Sequence, residues 1–362
     1  MANRESIIKL GPNRVWRTYR GGKRLDAIQG KSEPEDSHFP EDWIGSTVEA
    51  RNPGRDVPNE GLAMLVDSNG QETSLKSLIE ADPIYFLGSD EHGHRSLDDM
   101  PLVKYLDSAT RLHFQAHPTS EFAQQRLNAP RGKTEAYVIL DIRDEIEEPY
   151  IYAGFQRAPS REQLKHWILD QDIEAIEERF DKIPVKVGDV FLITGGRPHA
   201  LGEGILMLEI MEPSDLAVRF EFEREGFVIP EKARFMGRDL ETALDVFSLD
   251  SVSSESINSV FRCEPAIIEV YGGRGHWEEL IGSSRTSCFT VRKTCVLGTI
   301  FRKPQDYFIG IVVSGGGKAI ADGQYFELKQ WDRFFCPNGV VTLVYESSEE
   351  MTVLECSPGG EQ

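Results

Sequence analysis

RLHFQAHP, residues 111–118, sets His113, Gln115 and His117 at alternate positions just after the apolar run PLVKYL, residues 101–106. In a β-strand alternate side chains leave the same face, so these three polar groups project together. On a solvated edge, water satisfies such groups. Here the segment leads into a core, where they need a metal, a ligand or hydrogen-bond partners. A histidine beside a glutamine is also what a satisfied core pair looks like, and both readings stand at this point.

Outward from this stretch, LVKYLD (102–107) and EAYVILDI (135–142) are short runs rich in β-branched and aromatic residues, and they predict flanking strands. Between them, EFAQQRLNAPRGK (121–133) predicts a helical turn and loop, with Lys133 and Glu135 where the chain re-enters the sheet. SREQLKHWILDQDIEAIEERF (160–180) predicts the clearest helix. Ser160 with Gln163 fits a capping box, and Leu164, Ile168, Ile173, Ile176 and Phe180 recur near helical spacing. His166 and Trp167 on it are read as packing residues. A shorter helix is expected at 74–80, stopped by Pro83.

VKVGDVFLITGGRPHALGEGILMLEIMEPSDLAVRFEFE (185–223) predicts strands joined by glycine turns. Inside a small closed barrel one face of each strand looks inward, so His199, Glu209 and Arg219 can converge despite their separation. Residues 226–247 read as helical or irregular, and strands return from about Ile267 to Pro358. There SGGGKAIADGQYFELKQWDRFFCP (314–337) repeats the rhythm of VKVGDVFLITGGRPHA (185–200), which predicts a second copy of one barrel. Where the first copy has His199, the second has no metal-binding side chain, and its expected role is structural or interfacial.

The 362 residues suffice for two domains, and 40% hydrophobic with 28% charged residues is the composition of a globular protein. No apolar run of about 18 residues is present to span a bilayer, and MANRESIIKL lacks the apolar core of a signal peptide. The five cysteines, Cys263, Cys288, Cys295, Cys336 and Cys356, have no CxxC spacing. Free thiols in a reducing cytoplasm are the expectation. A net charge of −20 argues against nucleic acid and anionic membrane as partners, and obliges any phosphate site to gather its own cations. GPNRVWRTYRGGKRLDAIQG (11–30) is the basic exception. Arg14, Arg17, Arg20, Lys23 and Arg24 either supply such a field or form a solvated basic segment. The loop-rich stretch that follows (32–58) carries Trp43 and Ser46.

Gln115, His117, Glu135 and His199 offer two imidazoles, a carboxylate and an amide oxygen, a set suited to a mononuclear zinc-type ion. Redox-active iron sites rely on a richer histidine set. Spacing alone leaves the metal and the satisfied core pair both open. The order RLHFQAHP, GKTEAYVIL (132–140) and IPVKVGDVFLITGGRPHALGEGILMLEIMEPSDLAVR (183–219) resembles the type I mannose-6-phosphate isomerase family of cupin metalloenzymes. The resemblance runs from about Trp43 to Arg219, and more loosely beyond.

It implies zinc held by Gln115, His117, Glu135 and His199. Lys104 and Lys133 would line the substrate pocket, Lys133 with a part in proton transfer. Glu209, Asp215 and Arg219 would stand at the catalytic centre, with Trp43 and Ser46 shaping the pocket. It further implies a mainly β protein of two cupin-type (jelly-roll) β-barrels with a small helical element. Residues 1–225 would form the catalytic metal-binding domain and 226–362 a degenerate second one. The implied activity is zinc-dependent interconversion of mannose 6-phosphate and fructose 6-phosphate through an enediolate, in the cytoplasm, and a homo-oligomer is compatible with it. Three positions depart from the family's pattern. His113 stands where it carries a small hydroxyl, and Ile44 and Gly45 where it carries an acid and an aliphatic residue. These departures keep two alternatives in view: an isomerase or epimerase of another sugar phosphate, and a catalytically silent sugar-binding regulatory cupin.

Overall fold

The computed structural model describes residues 6–52, 54–55, 57–66, 70–90 and 93–360. Residues 1–5 of the N-terminal segment, and Pro53 and Asp56 of the loop-rich stretch, lie outside the described residues. The chain is mainly β.

Two antiparallel sheets from the first two-thirds of the chain face each other. The larger is built from Val190–Ile193, Glu135–Ile142, Ile205–Met211, Leu102–Asp107, Glu41–Ile44 and Arg14–Val15, in that order across the sheet. The smaller runs Ile183–Pro184, Tyr150–Ala153, His199–Leu201, Gln115–Ala116, Val218–Arg219. The two-residue alternation of the sequence decides what each face buries. On the larger sheet Leu106, Tyr137, Ile139 and Met207 point inward to Ile151, Ala153 and Leu201 of the smaller one. Val103, Val138, Leu208 and Ile210 point the other way, onto Ile281, Val291, Ile309, Phe335 and Leu354 of a third sheet. Behind the smaller sheet, Phe114, Tyr152 and Phe220 pack on Leu164, Ile168 and Leu244 from helices. Fully burying each such side chain contributes roughly 1.5–3 kcal/mol.

The third sheet has nine strands and contains all those from Ala266 to Pro358. It also takes in Ile8–Lys9, which pairs with Arg333–Cys336. The start of the chain thus pairs with a strand near its end. Arg333 reaches back in turn to Asp42, 2.7 Å away.

Three local expectations change. Helix 160–180 is two helices, Arg161–Asp170 and Ile173–Glu177. Gln171 turns left-handed at φ 53° to end the first, and Asp172 caps the second. Ser160 and Gln163 do make the capping box. Pro83 does not end the helix Leu75–Ala81 so much as open another, Pro83–Leu87, at the first-turn position where its missing N–H costs nothing. Within RLHFQAHP only Gln115–Ala116 is regular strand. Among the described residues no helix is long and apolar enough to cross a membrane.

Candidate metal centre and its cavity

At one end of the sandwich the facing surfaces turn from apolar to polar. On the larger sheet Glu209 is paired with Tyr137 on one side and Lys104 on the other, and Lys104 with Trp43. Alternation then sets Glu135, Glu209, Lys104 and Glu41 on the inner face. The smaller sheet answers with Gln115, paired to both His199 and Arg219. His117 arrives from the loop that follows Gln115. A Cβ added to Gly132 would lie 2.5 Å from the Pro118 carbonyl oxygen, and one on Gly195 would lie 2.8 Å from Thr119 Cα. Glycine at both positions therefore lets two other loops close on the backbone next to His117. Those contacts are fixed by Lys133 N–H donating to the Pro118 carbonyl (3.0 Å) and Gly196 N–H to the His117 carbonyl (2.7 Å).

His117 Nδ1 is 2.8 Å from the Leu216 carbonyl oxygen, and His199 Nδ1 is 2.9 Å from that of Arg197. A carbonyl only accepts, so both rings carry a proton on Nδ1, and the neutral tautomer with that proton presents an Nε2 lone pair to the interior. Those two Nε2 atoms each lie 3.1 Å from an oxygen of Glu135. Burial, with Lys133 nearby, pushes His117 down to about 3, so it is neutral. Glu135 is ionised: although burial opposes its charge, the Lys133 ammonium holds it well below the usual carboxylate range. Its Oε2 is buried without a hydrogen bond of good geometry, while Tyr137 donates to Oε1.

Lone pairs thus face lone pairs across a fully buried site, an arrangement that calls for a cation. The ligand atoms of His117, Glu135 and His199 all lie within 4.8 Å of one another, and the Gln115 carboxamide is 3.3 Å from His199 Nε2. Two imidazoles, a carboxylate and an amide match the donor set of a divalent metal. In the protein alone Lys133 Nζ stands in, 3.1 Å from His117 Nε2 and 3.0 Å from Glu135 Oε2.

From this centre a chain of alternating charges runs across the sheet. Lys133 is 3.7 Å from Glu209, Glu209 3.2 Å from Lys104, and Lys104 2.8 Å from Glu41. Glu41 is 2.7 Å from Arg17, which forks onto both oxygens of Asp215 at 3.1 Å. Burial pushes Glu209 up to about 7, with Glu135 and Glu41 adding to the push against the two lysines. Lys104 is raised despite burial, because Glu209 and Glu41 flank it. Asp215 is also buried, but Arg17 and the Arg51 N–H (2.8 Å) keep it below its ordinary value.

All of this except His117, which stands behind Glu135 and Lys133, borders one cavity. Lys104, His113, Gln115, Lys133, Glu135 and His199 line it, as do Glu209, Asp215 and Arg219. Trp43 and Ser46 do not. Trp43 is wholly buried beneath the cavity, donating from Nε1 to Glu41 (2.7 Å) and stacking under the Arg17 guanidinium at 4.9 Å. The Ser46 hydroxyl is spent on its own turn, at 3.1 Å from the Val48 backbone. His113 is 4% exposed with Nε2 unpartnered. Burial first, then Arg219, Arg111 and Arg224, push it down to about 3.

Sequence reasoning missed Tyr19 and Glu41 as site residues and named Arg17 only as one of five cations in the basic segment. The alternation in EDWI, which sets Glu41 on the face of Trp43, was the available signal. Most of the basic segment around Arg17 is consumed by local contacts: Arg14 by Asp26 (2.7 Å), Arg24 by Asp141 (3.2 Å), Arg20 by the Asp36 carbonyl (2.9 Å). Only Arg17 and its neighbours at 16, 18 and 19 reach the cavity.

No protein-family model matches the chain. Among curated proteins it is 29% identical over 238 residues to the probable mannose-6-phosphate isomerase GmuF of Bacillus subtilis, covering 65% of this chain and 68% of that one. It is 24% identical over 319 residues to the mannose-6-phosphate isomerase of Streptococcus mutans, covering 85% and 93%. Its fold is similar to the crystal structure of the mannose 6-phosphate isomerase from Bacillus subtilis, with a TM-score of 0.72 at 22% identity over 97% of this chain and 99% of that one. A phosphomannose isomerase variant from Salmonella typhimurium matches at 0.69 and 14% identity, covering 98% and 100%.

Proposed function

We propose that this chain, a member of the mannose-6-phosphate isomerase family by its relatives, is a zinc-dependent aldose–ketose isomerase that interconverts mannose 6-phosphate and fructose 6-phosphate. One observation carries the reading. Two Nε2 lone pairs converge on an ionised, buried Glu135 inside a cavity that also presents Arg219, Lys104 and Lys133. The resemblance in fold and the donor set support it.

Gln115, His117, Glu135 and His199 would hold the ion, Gln115 after turning its amide oxygen inward, and bound zinc would supply Lewis-acid polarisation of the sugar's oxygens without redox chemistry. The chain's own groups carry the remaining steps. Exchanging aldose for ketose moves a proton between adjacent carbons through an enediolate. Glu209, raised to about 7, sits in the range where a carboxylate can take and return that proton at neutral pH. Lys133, 3.7 Å away, is placed to relay it. Asp215, of the three acid–base candidates, is the least suited, because Arg17 holds it ionised. Its role is to orient Arg17. Arg219 stabilises the negative charge that develops on the enediolate oxygen, and Lys104 keeps Glu209 in place. Remote binding energy comes from the phosphate, which this cavity's cations would receive.

The finer architecture belongs to the same proposal. The two facing sheets are read as a catalytic cupin barrel within 1–225. The nine-stranded sheet is read as a degenerate cupin within 226–362, with the first strand exchanged into it. Five free cysteines agree with a cytoplasmic setting. The partner is a small sugar phosphate, with neither nucleic acid nor membrane. A second reading, another sugar phosphate on the same chemistry, is favoured by His113, which occupies cavity wall where the family's pattern has a hydroxyl.

A coupled assay across a panel of hexose phosphates, with and without chelator, tests both. Turnover of mannose 6-phosphate, abolished by chelation and restored by zinc, is expected. Turnover confined to another sugar phosphate selects the second reading. No turnover of any of them by metal-loaded protein overturns the proposal and leaves a binding module.

A further inference from the structure

A second group of ligand-type side chains lies on the nine-stranded sheet, far in sequence from the cavity. His276 and Glu278 alternate on the strand Gly275–Ile281, and the neighbouring strand Phe289–Arg302 sets Cys295 directly opposite His276 and Lys293 opposite Glu278. Cross-strand partners share a face, so imidazole, carboxylate and thiol meet there. His276 Nε2 is 2.9 Å from Glu278 Oε1, and one ligand atom from each of the three residues lies within 4.8 Å of the others.

We propose that His276, Glu278 and Cys295 form a second, three-ligand site for a borderline-soft divalent ion of the zinc class. Ligands at about 2.0–2.3 Å around one tetrahedral ion stand roughly 3.3–3.8 Å apart, so rotamer adjustment within this cluster closes the site. A nitrogen, an oxygen and a sulfur together favour zinc or cobalt over the hard ions calcium and magnesium. Cys295 is buried at the inner side, while His276 is 32% exposed and leaves the position open to solvent for a fourth, water ligand. The cavity beside it is lined by His276, Cys295 and Glu350.

Lys293 Nζ is 3.3 Å from Oε2 of Glu278, the oxygen turned from His276, and leaves Oε1 to the ion. One protein ligand fewer makes this the weaker of the protein's two sites. As the sulfur–ion bond forms, the Cys295 S–H proton passes to water, so occupancy rises with pH. Binding would pin the outer hairpin Ala266–Ile281 to the strand that carries Cys295.

Cobalt chloride is the discriminating probe, because a thiolate ligand gives cobalt a near-ultraviolet charge-transfer band and the His117, Glu135, His199 centre contains no sulfur. The full chain titrated with cobalt is expected to take up two equivalents and develop the band. Cys295→Ser is expected to lose the band and one equivalent while keeping isomerase turnover. His276→Gln should weaken the band's titration at least tenfold, and His199→Ala should keep it. A single equivalent without the band in the wild-type chain, or a band that survives Cys295→Ser, overturns the proposal.

Discussion

Glu41→Gln removes one negative charge from a point where four donors meet. Its carboxylate, 2% exposed, accepts from Arg17 Nε (2.7 Å), Lys104 Nζ (2.8 Å), Trp43 Nε1 (2.7 Å) and the Tyr19 hydroxyl (2.5 Å). Glutamine keeps the shape but offers one acceptor oxygen, and turns an amide donor toward donors. Hydrogen bonds to charged groups contribute about 1.5–3 kcal/mol each, and removing one partner of a buried ion pair costs about 3–5 kcal/mol. Lys104 retains Glu209 and Arg17 retains Asp215, which places the expected loss near the lower end, about 3 kcal/mol. Urea denaturation read at equal metal loading should show a lower midpoint with an unchanged slope. Because Arg17 and Lys104 both border the cavity, kcat/KM should also fall at least about tenfold, or about 1.4 kcal/mol of transition-state stabilisation. Adding Lys104→Met to the variant should recover part of the stability, with a coupling energy of at least about 1.5 kcal/mol in the double-mutant cycle. A loss below about 1 kcal/mol, with no coupling to Lys104, would refute the idea that this charge chain holds the cavity floor together.

Three further outcomes are expected. His199→Ala, made in the Cys295→Ser background, should lower bound zinc to near background by elemental analysis, and one full equivalent retained would contradict the ligand assignment. Arg219→Ala should keep its metal and lose about 10²–10³-fold in kcat; an active variant removes this arginine from the chemistry. His113, neutral in the folded chain and pushed from 6.5 down to about 3, takes up a proton on unfolding between those values. The unfolded state then binds more protons, so stability falls as pH drops from 6.5 toward 3, by about 1.4 kcal/mol per pH unit. In chelator-treated protein, His113→Ser should recover about 2 kcal/mol of that loss at pH 5, and superimposable stability–pH curves would show the histidine to be accessible after all.

What sequence alone determined rests on short-range regularity. The alternation in EAYVILDI, LVKYLD and ILMLEIM says which side chains share a face, and Ser160 with Gln163 marks a helix start, because strand pleat and capping geometry are set within a few residues. The same alternation set His113 and Gln115 on one face, and the glycines of GGRPHA marked a tight turn before His199. Where the helix breaks was not legible: IEAIE continues the apolar period, and Gln171 is no usual left-handed residue. Which faces meet was not legible either. That Arg17 and Tyr19 lean over Glu41, that Trp43 lies under the cavity and not in it, that Ile8–Lys9 joins a strand over three hundred residues away, and that His276 lies opposite Cys295 all depend on strand register and sheet packing. Those are set by the sum of many distant contacts, and no local stretch of chain carries enough of that sum to reveal them.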